Sequence, residues 1–240
     1  MHRCLLFVGI FAGCAQDDAQ VDTALQPLVV RCAHPDLAAG AWRCGEARTI
    51  ECTHHEGGNE AAIYVDGGEA CVDLDYQLSD PGPYLPGEHV IVVQRGDEAV
   101  CESVLTVVDT TPPTITSRDV QLWSPNHKWH DLRPTDCADI QDACDPTVEA
   151  HFTWVTSDEA ADGNGDGNTH PDIELGCDTL RLRAERTGGG DGRVYHVGVV
   201  ARDDAGHTTE GTCTVFVPHD QGGTTAADSG EAVRVEVTCD

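Results

Sequence analysis

The fold that the sequence predicts is decided by residues 99–113, which read AVCESVLTVVDTTPP. Cys101, Leu105 and Val107 share one side of an alternating pattern whose other side is polar. This period of two predicts a strand with one buried face. The two prolines that close the stretch cannot donate backbone hydrogen bonds, so they end the strand ladder. We therefore expect a domain boundary directly after residue 110.

Short apolar–polar alternations separated by turn residues extend on both sides of this boundary. The 240 residues include 25 Gly and 12 Pro, which interrupt the chain too often for a long helical protein. A glycine-rich turn at 188–192 predicts a hairpin between strands near 180–185 and 194–197. Trp154 falls on the apolar stripe of another strand and is expected in the core.

The pattern predicts an all-β protein with two tandem immunoglobulin-like β-sandwich domains. The expected organisation is a signal peptide (1–13), a tether (14–27), a first β-sandwich (28–110), a second β-sandwich (111–221), and a linker with a C-terminal strand (222–240).

Charge and hydropathy exclude two classes of function. The chain carries 42 acidic and 14 basic residues, a formal net charge of -28. It has no basic stripe that could displace counterions from phosphates, so we expect no nucleic-acid partner. Electrostatic adhesion to anionic lipid is disfavoured for the same reason. No apolar run reaches the length of a transmembrane helix.

The N-terminus has the pattern of an export signal. A positive start is followed by an apolar run and by small residues before Cys14, as in a secretory signal peptide. Residues 11–14 (FAGC) also resemble a bacterial lipobox, in which the cysteine becomes lipidated. We predict that Cys14 carries a lipid that anchors the exported protein to the bacterial outer membrane or cell surface. The alternative is ordinary cleavage, with Cys14 left as a thiol or disulfide partner.

Ten further cysteines form an even set, which in an exported chain indicates disulfide bonds. A zinc site is disfavoured because no CxxC pair occurs. The expected disulfide cysteines are Cys32, Cys44, Cys52, Cys71, Cys101, Cys137, Cys144, Cys177, Cys213 and Cys239. We hypothesise that Cys239 pairs with a cysteine of the first β-sandwich. Pairs inside the second β-sandwich are expected to come only from its own four cysteines.

Several stretches resemble modules of secreted bacterial proteins. Residues 107–115 (VVDTTPPTI) are similar to the junction between tandem immunoglobulin-like or hyalin-type repeats. The second block resembles one recurring module at 122–128 (LWSPNHK), 163–168 (GNGDGN), 182–186 (LRAER), 192–195 (GRVY) and 217–221 (VPHDQ). The resemblance covers about residues 86–221 and implies a non-catalytic spacer or adhesion unit of a surface protein.

Residues 162–168 (DGNGDGN) form the sharpest local motif. Side-chain oxygens at alternate positions, with glycine at the sixth, match the front half of a calcium loop. The twelfth position holds Ile173 instead of a bidentate Glu, and Asp158 or Glu159 could complete the shell. The expected calcium ligands are Asp162, Asn164, Asp166, Asn168 and Asp172. The alternative is a metal-free loop whose residues were chosen for backbone freedom.

Evidence for catalysis is weak. His127, His130 and His219 could bind zinc or copper if the fold brought them together, but solvated surface histidines are the alternative. The chain has neither an HExxH pattern nor a Gly-x-Ser-x-Gly elbow. We therefore predict no catalytic residues and no enzymatic activity.

The predicted function is that of a non-catalytic, surface-anchored lipoprotein in adhesion, recognition or structural spacing, with an unknown protein or glycan partner. The alternatives are a calcium-dependent binding module, and a secreted metal-dependent hydrolase or its accessory subunit.

Overall fold

The computed structural model describes residues 30–33, 42–44, 47–55, 63–67, 76–79, 82–165, 169–220 and 226–239. The chain forms two compact units, Met1–Asp109 and Thr110–Asp240. The predicted signal peptide and tether, with Cys14, lie outside the described residues.

The first unit is built from strands throughout its described part. These are β1 (Val30–Ala33), β2 (Trp42–Cys44), β3 (Arg48–Glu51), β4 (Ile63–Gly67), β5 (Tyr76–Leu78), β6 (Gly87–Arg95) and β7 (Glu98–Val108). One sheet has the order β3-β7-β6-β5 and the other β1-β4-β2. Leu105 and Val107 of β7 are buried with Ile91 and Val93 of β6, as the alternation in this stretch predicts.

The second unit also consists almost entirely of strands. They are β8 (Thr114–Ser117), β9 (Val120–Gln121), β10 (Trp129–Leu132), β11 (Ala138–Gln141), β12 (Glu149–Ser157), β13 (Ile173–Leu175), β14 (Leu180–Arg183), β15 (Gly192–Arg202), β16 (Thr208–Pro218) and β17 (Val233–Glu236), with one helical turn α1 (Pro134–Cys137). Its largest sheet has the order β17-β12-β15-β16-β9, a second sheet is β10-β14-β13, and β8 pairs with β11.

The two larger sheets of the second unit share one core. Phe152, Val197 and Val215 from the five-stranded sheet pack in the same buried cluster as Leu180 and Leu182 from the three-stranded sheet. Fully burying each such side chain stabilises the fold by about 1.5–3 kcal/mol. A sandwich of two β-layers around one core is therefore the architecture of this unit, and the predicted all-β fold class is confirmed.

Disulfide bonds join distant parts of the second unit. One links Cys137 to Cys213, and another links Cys177 to Cys239 across 62 residues. Cys52, Cys101 and Cys144 are also disulfide-bonded. Cys71 and the side chains of Cys32 and Cys44 lie outside the described residues.

The hypothesis that Cys239 pairs with the first unit is wrong. Strand β17 adds to the edge of the five-stranded sheet beside β12, with Val235 opposite Val155. This pairing carries the chain end to the β13–β14 connection, where Cys177 lies. The tail therefore belongs to the second unit. The expectation that the four cysteines of the second β-sandwich pair only with one another is also wrong, because Cys177 pairs with Cys239.

The predicted hairpin at 188–192 is also wrong. Strands β14 and β15 flank this turn, but they belong to different sheets. Ala184 and Glu185 after β14 are both fully buried, so the chain crosses the core between the layers instead of folding back beside itself. The hairpin of this region joins β15 to β16 through the turn at 203–207.

Trp154 does not lie in the core. The register of β12 against β15 shifts between Phe152 and Trp154, which is the signature of a β-bulge. The bulge moves the buried face from Phe152 to Val155 and leaves Trp154 on the outer side, against Gly198 and beneath the guanidinium of Arg234. Strict alternation therefore placed this ring on the wrong face.

Among the described residues there is no helix with the length and apolarity that a membrane crossing requires.

Candidate functional site

Four connections of the second unit meet at the same end of the sandwich, because of the antiparallel pairing. Strand β12 is antiparallel to β15 and β17, so the end of β12 lies beside the beginnings of those strands. Strand β14 is likewise antiparallel to β10 and β13. We call the described residues of these connections the loop end; they fall within 122–128, 158–172, 184–191 and 219–232.

Arg193, at the start of β15, is the centre of the loop end. Its side chain is fully buried, which is rare for an arginine and requires partners for its charge and donors. The guanidinium donates from Nη1 to Asp172 Oδ2 at 2.5 Å, from Nε to Glu159 Oε2 at 3.1 Å, and from Nη2 to the Ala160 carbonyl at 3.1 Å. One arginine thereby fixes both ends of the 158–172 connection.

Tyr195 extends this network to the other sheet. Its hydroxyl accepts a hydrogen bond from Arg193 Nη1 at 3.2 Å and donates to the Arg183 carbonyl at 3.0 Å. Burial raises the pKa of Tyr195 above its ordinary value, so the phenol remains a donor. The end of β14 is therefore tied to the beginning of β15 through a side chain.

Two buried carboxyl groups lie side by side in this network. Glu185 is 0% exposed and Asp172 is 4% exposed. Burial, followed by the adjacent Glu185 carboxyl, raises the pKa of Asp172 to about 6, although Arg193 opposes the shift. Asp172 Oδ1 and Glu185 Oε1 are buried and have no hydrogen-bond partner. The other Glu185 oxygen, Oε2, accepts from Thr169 Oγ1 and is hydrogen-bonded to His127 Nδ1 at 3.1 Å.

Asp158 joins two further parts of the loop end. Its carboxylate accepts from the backbone N–H of Val194 at 2.8 Å and from that of Ser229 at 3.2 Å. Burial raises the pKa of Asp158, while these backbone donors act in the opposite direction. The carboxylate thus connects the end of β12 to β15 and to the chain that leads into β17.

A small cavity adjoins the buried acids. Its volume is about 80 Å³, and Asp172 lines it together with mostly apolar side chains, among them Pro171, Ile173, Val233 and Val235. Sites for drug-sized ligands usually measure roughly 300–1,000 Å³. The cavity therefore has room for a few water molecules and not for an organic substrate.

Trp123 presents an aromatic surface on a fixed loop. Its side chain is 39% exposed, whereas the preceding Leu122 is buried and donates its backbone N–H to Phe216 at 2.9 Å. At the other end of the loop, the His127 N–H donates to the Ala184 carbonyl at 3.0 Å, and the Ala184 N–H donates to the Lys128 carbonyl at 2.9 Å. The exposed indole is therefore carried by a backbone anchored to both sheets.

The predicted calcium ligands that the structure describes lie in different environments. Asp162 and Asn164 are exposed, Asp172 is buried against Arg193, and Asp166 and Asn168 lie outside the described residues. In the part of the chain that is described, neither Asp162 nor Asp172 belongs to a group of three acid, histidine or cysteine ligands within 4.8 Å of one another. Glu159 and Asp158, the alternative ligands, accept donors from the protein itself. Calcium binding stays a prediction.

The predicted metal-binding histidines take separate partners. His127 contacts Glu185, His219 Nε2 lies 3.5 Å from the Gly188 carbonyl, and His130 is on β10. No group of close potential ligands contains two histidines in the described ranges. The small cavity is lined by His170 instead of these three.

Sequence reasoning missed the roles of Glu185 and Arg193, although both fall in stretches that carry the resemblance. A signal was present at Arg193, which falls in the same period-two alternation as Tyr195, Val197 and Val199 and so puts a charge into an apolar run. A charged residue inside such a run has to find a buried counter-charge. The sequence around Glu185 gave no comparable signal, because Glu185 is buried where the chain crosses from one sheet of the sandwich to the other.

Comparison with known proteins gives no family. No protein-family model and no curated protein matches the sequence. Among solved structures, the chain is similar to human mucin-like protocadherin EC1-2, with 13% identity, a TM-score of 0.29, and coverage of 74% of this chain and 98% of that one. It is also similar to protocadherin gamma C5 EC1-3, with 10% identity, a TM-score of 0.28, and coverage of 80% and 65%. Tandem immunoglobulin repeats of Dlar match with 15% identity, a TM-score of 0.20, and coverage of 77% and 98%.

The class of protein accordingly follows from the chain's own strands and crosslinks. It is an all-β protein of two compact units with disulfide bonds. Disulfide-bonded β-domains of this kind are typical of exported proteins.

Proposed function

We propose that this chain is a non-catalytic, exported surface protein that acts in adhesion or recognition through the loop end of its second unit. The observation that carries the proposal is Trp123, a partly exposed tryptophan on a loop whose backbone is bonded to both sheets. Tryptophan is enriched among residues that dominate binding energy. A loop that is already ordered loses little conformational entropy on binding.

The buried charges support the same function. Arg193, Glu159 and Asp158 use their donors and acceptors to hold the 158–172 and 219–232 connections against β15. A scaffold that fixes loops at one end of a sandwich is the usual arrangement for recognition by this architecture.

The proposal also covers how the protein is attached to the cell and what kind of partner it binds. The lipobox-like residues 11–14 support lipidation of Cys14 and attachment to the bacterial outer membrane or cell surface. The likeness of the second unit to hyalin-type modules of secreted bacterial proteins supports the same location. The net charge of -28 favours a protein or glycan partner over nucleic acid.

Attachment of the producing cells tests this function. The gene is deleted and then restored as wild type, as Trp123→Ala, or as Leu85→Ala, a control that removes an exposed apolar side chain from the first unit. We expect deletion and Trp123→Ala to reduce attachment at least tenfold, and Leu85→Ala to restore it. Unchanged attachment after deletion, or full attachment by cells with folded Trp123→Ala protein, would contradict the proposal.

A further inference from the structure

The Asp172–Glu185 pair poses an electrostatic problem that the protein's own donors do not solve. Both carboxyl groups are more than nine-tenths buried and lie within hydrogen-bond range of each other, so when both are ionised each has an oxygen without a donor. A buried, unpaired polar atom usually costs about 1–3 kcal/mol, and more when it is charged. Two such atoms in adjacent like-charged groups call for a positive species between them.

The nearby arginines are committed elsewhere. Arg193 directs its donors to Asp172 Oδ2, Glu159, Tyr195 and the Ala160 carbonyl. Arg183 donates from Nε to the Pro171 carbonyl and from Nη1 to the His127 carbonyl, each at 3.1 Å. Its Nε lies 3.8 Å from Asp172 Oδ1, which is too far for a hydrogen bond. Neither guanidinium therefore satisfies the two open oxygens.

The local charge balance leaves room for a cation. Three acids meet here, Glu159, Asp172 and Glu185, against the two arginines. This is an excess of one negative charge when all five are ionised and His127, which contacts Glu185, carries no charge. The available ligand atoms are two carboxylate oxygens and the Thr169 hydroxyl, which contacts Glu185. Oxygen ligands of this kind suit a hard divalent cation, and calcium accepts irregular sets completed by water.

We propose that Asp172, Glu185 and Thr169 form a buried site for one calcium ion at the loop end. This ligand set differs from the loop set predicted from sequence, since it replaces the exposed Asp162 and Asn164 by a buried glutamate and a threonine. The ion would neutralise the carboxyl pair and bridge the 158–172 and 184–191 connections. The proposal does not depend on the adhesion function, because its ligands are buried and do not include Trp123, the residue that carries that function.

Calcium titration of the full chain tests the site. The protein is stripped with chelator, dialysed, and titrated with calcium chloride alone while the heat of binding and the thermal midpoint are recorded. Ligand binding to the folded state raises the midpoint as concentration exceeds Kd. We expect a rise of at least 3 °C at millimolar calcium, abolished in Glu185→Gln and retained in Asp178→Asn, which removes an exposed acid just before the start of β14.

Thr169→Val provides a second variant if Glu185→Gln fails to fold. It removes the hydroxyl while it keeps both carboxyl groups, and we expect at least a fivefold weaker calcium affinity. Absence of heat and midpoint shift in the wild type would overturn the proposal and leave a shared proton as the neutralising species. A shift that persists in Glu185→Gln but is lost in Asp162→Asn would also overturn it, since calcium would then bind the exposed loop.

Discussion

Arg193 Nη1 donates to Asp172 Oδ2 at 2.5 Å in the interior of the second unit, where both side chains are almost completely removed from solvent. Asp172 ends the 158–172 connection, and Arg193 lies at the start of β15. The contact between them therefore holds a long connection against the sheet. Buried pairs of this kind are costly to break, because the remaining partner keeps an uncompensated charge.

Replacing this arginine is expected to destabilise the second unit strongly. Arg193→Met retains an apolar side chain of similar length but leaves Asp172 and Glu159 without their counter-charge. We expect a loss of about 3–5 kcal/mol in the free energy of unfolding, measured by urea denaturation. The matched control is Arg181→Met, which breaks exposed pairs with Asp131 and Glu174 and should leave the midpoint nearly unchanged. Equal midpoints for Arg193→Met and wild type would show that the pair does not hold the fold.

The close approach of β15 to Trp154 is expected to make Gly198 irreplaceable. A Cβ at this position would lie 2.3 Å from Trp154 Nε1, so the ring or the strand has to move. We expect Gly198→Ala to cost about 1–3 kcal/mol and to change the tryptophan fluorescence. Gly189→Ala is the control, since a Cβ there has no neighbour within 4 Å. If both variants matched the wild type, the position assigned to Trp154 would be wrong.

The disulfide between Cys177 and Cys239 is expected to hold β17 on the sheet edge. It joins residues separated by 62 positions, and by restricting the unfolded chain it stabilises the fold by about 4 kcal/mol at most. The double variant Cys177→Ser, Cys239→Ser should lower stability by about 2–4 kcal/mol and expose the Val233 and Val235 amides to hydrogen exchange. Non-reducing peptide mass mapping of the wild type checks the connectivity. A Cys239 linked to a cysteine of the first unit would contradict it.

Lipidation is expected to depend on the thiol sulfur of Cys14. Cys14→Ser removes the thiol that would accept the lipid, so we expect the protein to leave the membrane fraction and to lose metabolic labelling with radioactive fatty acid. Cys4→Ser, inside the predicted signal peptide, is the control and should be labelled like the wild type. Absence of the fatty-acid label from the wild-type protein would contradict the predicted lipid anchor.

The all-β fold could be predicted because it depends on local signals. The apolar–polar alternation of β7 and the two prolines that follow it involve only residues close together in the sequence. They predict a strand where the structure has β7. The turn at 203–207 is likewise a local feature, because Asp203 accepts from the His207 and Gly206 N–H groups within five residues. Such features need no knowledge of distant partners.

The loop end could not be predicted because it depends on contacts between distant residues. Glu185 and Thr169 are 16 residues apart, and Glu185 and His127 are 58 residues apart. The bulge beside Trp154 depends on the register between β12 and β15, and the sequence of β12 alone does not specify that register. Cys239 was misassigned for the same reason, since its partner is fixed by the edge on which β17 docks.

Hydrogen exchange of the native protein measures most directly whether buried charges fix the loops for recognition. The amides of His127 and Ala184 join the 122–128 and 184–191 connections, so in the wild type they should exchange nearly as slowly as those of β15. In Arg193→Met, under conditions where the sheet amides stay protected, both should exchange at least a hundredfold faster. Rapid exchange of these two amides in the wild type would contradict the claim that the loop end is preformed.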